Sequence, residues 1–297
     1  GAELGVSLAA MGDFDKNGVA DLAVGQPGQN RVMLVHFNSG AEVKNVVAIA
    51  PVASSVFDPM NDIGYSLTGD FGRSVALLGD VNDDKVADIA VADPFFGCTG
   101  GTDCGVVFLL FLDADATIQS YATIADSSET YNGGFSFDLT GTDMFGAALA
   151  GVGDVNKDGI PDLAVGASGI DSGVGAVFVL LLNADGSVDT DFTIGSAGIP
   201  ELSRSGTAPS AFGSSIAAIG DANADGVPDL LVGAPFDRVD SSANNIGALY
   251  YVHLSSSGSM RGSRFLTGTN VAKLGLDAPF GATDELGSAV ALAGDVN

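Results

Sequence analysis

The chain has no tryptophan, two cysteines, two histidines and only 11 Lys and Arg among its 297 residues. So few cations argue against a nucleic-acid surface, because phosphate backbones are held by Lys and Arg patches. They equally disfavour an anionic membrane surface. Apolar runs stop at strand length, as at residues 106–112 and 176–182, well short of the roughly 20 residues a membrane-spanning helix needs. No segment sustains helical periodicity over three turns, and no Asn-x-Ser/Thr acceptor occurs. No secretory leader is present either, but the numbering starts at Gly1 rather than Met. The expectation is a processed or partial chain, for which a missing leader carries no weight. The residues of common enzyme sites are scarce too. There is no nucleophile elbow, phosphate loop or His-based metal triad. His36 and His253 fall at equivalent strand ends in the first and fourth repeats, which suits strand-end fillers better than a catalytic pair.

What the chain does have is aspartate. Asp and Glu total 37, giving a formal net charge of −26, and only five of these acids are Glu. The aspartates recur in one repeated phrase: GDFDKNGVADLAVG from Gly12, GDVNDDKVADIAVA from Gly79, GDVNKDGIPDLAVG from Gly153 and GDANADGVPDLLVG from Gly220. A fifth copy, GDVN, begins at Gly294. Repetition of this kind fixes the architecture before any single residue is weighed. The first aspartates, Asp13, Asp80, Asp154, Asp221 and Asp295, are spaced alternately 67 and 74 apart, a two-unit period of 141 residues. The second and fourth units carry Pro94-Phe95 and Pro235-Phe236 followed by long insertions, where the first and third have short Gly-rich connections.

Each unit reads as four short strands. A small-residue strand such as 145–153 enters the Asp loop, and a second such as 162–166 leaves it. A third, nearly all apolar, follows at 31–36, 105–112, 175–182 and 247–254, and a weaker fourth at 43–50, 117–124 and 263–267. Runs of five to eight residues rich in Val, Ile and Leu and bounded by Gly, Asp and Asn are strand signals. Four strands per unit of about 70 residues is the pattern of a β-propeller blade; a two-sheet sandwich array is the competing all-β arrangement. The apolar third strand predicts burial on both faces between blades. Ala9, Ala10, Ala147, Ala148, Ala217 and Ala218 predict a crowded inner strand. The expected units are 1–68, 69–142, 143–209 and 210–283, with a partial fifth at 284–297.

Within each phrase, oxygen donors sit at positions one, three, five and nine. They are Asp13, Asp15, Asn17 and Asp21; Asp80, Asn82, Asp84 and Asp88; Asp154, Asn156, Asp158 and Asp162; and Asp221, Asn223, Asp225 and Asp229. The carbonyls of position seven, Val19, Val86, Ile160 and Val227, can add an oxygen. Ca²⁺ takes six to eight such oxygens, and carboxylates with an amide suit a hard dication better than a softer metal. About four calcium sites are therefore expected. A helical EF-hand loop is excluded, because its bidentate Glu at position twelve is replaced by Val24, Val91, Val165 and Val232 in strand patterns. Four solvated Asp-rich turns are the plainer alternative, which four copies in one register disfavour. Lys85 stands where the other complete loops have glycine. A side chain at positive φ is costly there, and the ammonium opposes a cation, so the second site is expected to be the weakest. Cys98 and Cys104, six apart in a turn-rich stretch, suit a local disulfide in an oxidising compartment; two free thiols are the alternative.

Phe145-Gly146 before the third loop and Gly166-Ala167 after it, with Phe212-Gly213 and Gly233-Ala234-Pro235 around the fourth, resemble FG-GAP repeats, the repeats of the integrin α-subunit β-propeller. Unit two keeps Phe71-Gly72 but reads Ala92-Asp93-Pro94; unit one has Leu4-Gly5 and Gly25-Gln26-Pro27, and the fifth begins Leu286-Gly287. The resemblance covers essentially the whole chain. It implies a propeller usually closed by seven blades, with calcium hairpins opposite the main ligand-binding loops, so that four units and part of a fifth suggest a longer chain. It further implies an extracellular or cell-surface protein, non-catalytic, serving adhesion or surface and filament architecture. Expected partners are other protein chains or extracellular ligands, with self-assembly as a further arrangement suited to the two-unit period. The alternative is the propeller domain of a secreted polysaccharide-active or other hydrolytic enzyme. Residues 95–104 and 236–245 are the candidate ligand loops.

Overall fold

The computed structural model describes residues 3–52, 55–59, 69–98, 101–129, 133–203, 209–238, 246–267 and 284–292. They form four four-stranded antiparallel sheets, each a meander in sequence order. The first contains β1 (Leu8–Gly12), β2 (Asp21–Gln26), β3 (Arg31–Phe37) and β4 (Val43–Ile49). The second contains β5 (Ser74–Gly79), β6 (Asp88–Asp93), β7 (Val106–Leu112) and β8 (Ile118–Ile124). The third contains β9 (Phe145–Gly153), β10 (Asp162–Ala167), β11 (Ala176–Leu182) and β12 (Val188–Ile194). The fourth contains β13 (Ser215–Gly220), β14 (Asp229–Ala234), β15 (Ala248–Leu254) and β16 (Met260–Thr267). These are propeller blades, with β1, β5, β9 and β13 as inner strands that lie side by side in that order.

Small residues line those inner strands because backbones meet there: a Cβ on Gly151 of β9 would stand 2.1 Å from the carbonyl oxygen of Leu77 in β5. Between blades lies a layered apolar core. Val107, Leu109 and Phe111 of β7 pack with Leu163, Val165 and Phe178 of the next blade, and Val177, Val179 and Leu181 of β11 pack with Leu230, Val232 and Tyr250. The third strands β7 and β11 are accordingly buried at every residue. β3 and β15 correct the expectation of two-sided burial, since every second residue is only partly buried. Among the described residues, blades one and four each pack against one neighbouring sheet.

The FG and GAP elements are a contact between blades. In each Phe-Gly pair the glycine is left-handed, with φ of 92° at Gly72, 93° at Gly146 and 88° at Gly213, a conformation that favours glycine. The adjacent phenylalanines, Phe71, Phe145 and Phe212, are fully buried and pack on the third-strand aromatics Phe108, Phe178 and Tyr250 at centroid distances of 5.8, 5.6 and 5.3 Å. The second glycine faces the next blade's Phe-Gly carbonyl. A Cβ on Gly25, Gly166 or Gly233 would lie 2.0, 1.9 or 2.0 Å from the oxygens of Gly72, Gly213 and Gly287. Hydroxyls reinforce three of these seams: Ser7, Ser74 and Ser215 donate to the carbonyls of Gly72, Gly146 and Gly287 at 2.9, 2.6 and 2.7 Å. The predicted third-strand glycines Gly105, Gly175 and Gly247 lie just outside their strands, bridging in parallel to Phe145, Phe212 and Leu286 of the following repeat.

Cys98 and Cys104 form a disulfide in the β6–β7 connection. Its buried end sits at the second seam, where the Phe145 N–H donates to the Cys104 carbonyl at 2.9 Å. The fifth GDVN copy lies outside the described residues.

Candidate metal centres

All four Asp loops connect the first and second strands of a blade, and all four fold alike. The position-six N–H donates to the first aspartate: Gly18 to Asp13 at 2.8 Å, Lys85 to Asp80 at 2.8 Å, Gly159 to Asp154 at 2.9 Å and Gly226 to Asp221 at 2.8 Å. The position-three side chain accepts from the position-five N–H, at 3.2 Å for Asp15, 3.1 Å for Asn82, 3.1 Å for Asn156 and 2.8 Å for Asn223. Position five accepts from the position-seven N–H: Asn17 from Val19 at 2.9 Å, Asp84 from Val86 at 2.8 Å, Asp158 from Ile160 at 2.8 Å and Asp225 from Val227 at 3.0 Å. Lys85 takes the left-handed φ of 70° that glycine takes in its three counterparts, a conformation costing roughly 1–2 kcal/mol for a residue with a Cβ.

The ninth-position aspartate ties the loop to the blade. Asp88 accepts from the Val81 N–H and from the Leu112 N–H, both at 3.0 Å. Asp162 accepts from Val155 at 2.8 Å and Leu182 at 3.0 Å. Asp21 takes Phe14 and Asp15 at 3.2 Å and Phe37 at 3.0 Å; Asp229 takes Leu254 at 3.2 Å. Each therefore joins its loop to the last residue of the third strand, and all four are buried. Burial pushes the Asp88 and Asp162 carboxyls up to about 6; the N–H donors oppose this, while neighbouring loop aspartates add to it.

Hard oxygen donors in this repeated register, without thiolate, fit calcium or a similar dication. Among the described residues, Asp15, Asp21 and His36 bring one ligand atom each to within 4.8 Å of one another. The loop residues singled out from the sequence thus lie among partners of their own loops, except Asp229, whose described partners Tyr251, His253 and Leu254 belong to the third strand.

Two sets of neighbours were not legible as part of these loops. The first is the histidines: His36 Nδ1 lies 3.2 Å from Asp21 Oδ2 and His253 Nδ1 lies 3.5 Å from Asp229 Oδ2. His253 also meets the Asn223 amide at 2.9 Å. Each histidine serves its own loop, and the equivalent residues in the middle blades are Phe111 and Leu181. Beside His253, Tyr251 donates to Asp229 at 3.1 Å, and burial, then the Asp229 charge, pushes its phenol up to about 12. The second set comes from the fourth strand. Lys44 Nζ meets Asp15 Oδ2 at 2.6 Å, Gln119 Nε2 donates to Asp84 Oδ2 at 3.3 Å, and Arg261 meets Asp225 Oδ2 at 3.1 Å. The Lys44 ammonium holds the Asp15 carboxyl below the usual carboxylate range.

The candidate ligand loops follow second strands, so antiparallel order puts them at the end of the blade away from the Asp loops. Residues 95–104 carry the disulfide; of residues 236–245, 239–245 lie outside the described residues. Among the described residues no helix is long and apolar enough to cross a membrane.

Known proteins resemble this chain. The FG-GAP repeat family matches residues 145–180 and 212–252. Chicken (Gallus gallus) integrin alpha-V is 30% identical over 237 residues, covering 78% of this chain and 20% of the integrin. Mouse (Mus musculus) integrin alpha-3 is 39% identical over 130 residues, covering 41% of this chain and 11% of the integrin. Human (Homo sapiens) integrin alpha-7 is 43% identical over 99 residues, covering 32% and 8%. The chain thus spans about a fifth or less of these relatives' length. The solved exotype rhamnogalacturonan lyase YesX aligns over 86% of this chain and 42% of its own, but with 13% identity and a TM-score of 0.35, too low to define a shared fold. With its four blades, its buried Phe-Gly seams and its likeness to integrin α subunits along most of its length, the chain is an integrin-α-like FG-GAP repeat protein.

Proposed function

We propose that this chain is a calcium-stabilised extracellular propeller scaffold, non-catalytic, serving adhesion or surface and filament architecture at the cell surface. The observation that carries this reading is the ninth-position aspartate. In all four blades a buried carboxylate joins the Asp loop to the end of the third strand, so an ion held by the loop bears directly on the packed blade. The ion would be held by Asp13, Asp15, Asn17 and Asp21 and by their counterparts in the other loops, with the position-seven carbonyls completing the shell. The second site would be weakest, because Lys85 adds a strained backbone and a positive charge. Partners would be protein chains or other extracellular ligands met by the connections at the opposite end, residues 95–104 and 236–245, as loops on rigid scaffolds commonly carry recognition.

Twelve aspartates at the donor positions, gathered in four groups, repel one another, and calcium bound only to the folded state stabilises it by about 2.7 kcal/mol per site at a hundredfold excess over Kd. Thermal melting with calcium and with a chelator tests this: the midpoint is expected to fall markedly on chelation, and an unchanged midpoint would sink the reading.

A further inference from the structure

The residues that reach the loops from the fourth strands occupy one structural position. The third and fourth strands of every blade pair with a single irregularity near the loop end. His36 faces Asn45 but Phe37 faces Val43, skipping Lys44; Phe111 faces Ser120 but Leu112 faces Ile118, skipping Gln119. Leu181 faces Thr190 and Leu182 faces Val188, skipping Asp189, and His253 faces Gly262 and Leu254 faces Met260, skipping Arg261. A bulge leaves one residue outside the ladder and re-aims its side chain. Three of the four bulge side chains contact their own loop, always on the outer oxygen, Oδ2, of an aspartate at position three or five. In the third blade this position is Asp189, whose side chain accepts from the Thr190 hydroxyl at 3.2 Å.

Charge at this position divides the loops. Blades one and four bring a lysine or arginine to the loop, together with a histidine on the ninth-position aspartate. Blade two brings a neutral amide, and blade three a further carboxylate.

We propose that the fourth-strand bulge residue sets how far each Asp loop depends on calcium. Lys44 and Arg261 act as tethered counter-cations that hold loops one and four without metal and compete with it. Loops two and three have no cation at the bulge position and rely on the ion for order, and Asp189 makes loop three the tightest of the four. This rests on the loops binding calcium at all. A cation on a flexible stem beside an exposed carboxylate interacts modestly in water. Next to a bound dication, however, its unit charge is unfavourable at the scale of a severalfold change in affinity.

Hydrogen exchange of the whole chain across a calcium titration resolves each loop separately through peptides covering residues 13–21, 80–88, 154–162 and 221–229. In chelator, the 80–88 and 154–162 peptides are expected to lose protection while 13–21 and 221–229 keep most of theirs; residues 154–162 should regain protection at the lowest calcium. Lys44→Gln and Arg261→Gln should each make their own loop as chelator-sensitive as loop three and tighten its calcium midpoint by about fivefold, leaving the other loops unchanged. Asp189→Lys should do the reverse in loop three. Equal loss of protection in all four loops, with midpoints that none of these substitutions moves, overturns the assignment of the bulge residue while leaving calcium binding standing. If no loop responds to calcium, the scaffold reading and this inference fail together.

Discussion

Blades one and four differ from blades two and three at the calcium end, although the same phrase of sequence builds all four loops. The backbone is held constant: the position-six N–H reaches the first aspartate at 2.8–2.9 Å whether the residue is glycine or Lys85. The surroundings are not. Blades one and four supply His36 with Lys44 and His253 with Arg261, while blades two and three supply Phe111 with Gln119 and Leu181 with Asp189. A repeated motif therefore specifies a shape, while the residues that surround that shape differ from blade to blade.

The largest effect that would test this difference is removal of the ninth-position carboxylate. Asp162→Ala strands the N–H groups of Val155 and Leu182, and both hydrogen bonds are buried. At roughly 1–3 kcal/mol per stranded buried donor, a loss of about 4 kcal/mol is expected in denaturant unfolding. Asp21→Ala should cost about half as much, because two of its three backbone donors, Asp15 and Phe37, are only partly buried and can turn to water. Equal losses would mean that the two kinds of blade are anchored alike.

A somewhat smaller effect per group comes from pH in the metal-free protein. Asp88 and Asp162 titrate at about 6 when folded, against an ordinary value of 3.8. The folded state thus holds these protons more tightly than the unfolded state does. The stability that protonation confers is fully present below pH about 4 and is lost as pH rises towards 6, by up to about 3 kcal/mol for each group. The chelated protein should therefore become less stable across that window, with hairpins two and three loosening first by hydrogen exchange. Calcium should suppress the loss, since it favours the ionised form. A stability that instead rose from pH 4 to 6 in chelator would contradict the burial of these two carboxylates.

Much of the fold was legible because the repeat writes each element four times. The Asp loops, the third strands and the small inner residues follow from spacing and alternation, and β10 and β11 fall within a residue of their expected bounds. The physical reason for the Phe-Gly and Gly-Ala-Pro elements was not legible, because Gly166 and Gly213 lie 47 residues apart and meet only across a seam. The bulge residues are illegible in the sequence for a different reason. Lys44, Gln119, Asp189 and Arg261 share no chemistry, so no motif marks them. Each nevertheless falls seven residues after the last residue of its third strand, Phe37, Leu112, Leu182 and Leu254, and equal hairpin lengths were the signal available. The histidines stand at equivalent strand ends in the sequence, but only folding brings their ring nitrogens to Asp21 and Asp229.

Calcium binding itself is most directly tested by titration calorimetry of the metal-stripped chain at neutral pH and moderate salt. Four bound ions per chain are predicted, in more than one affinity class, with the loop that contains Lys85 filling last. Absence of any saturable calcium binding would contradict the account.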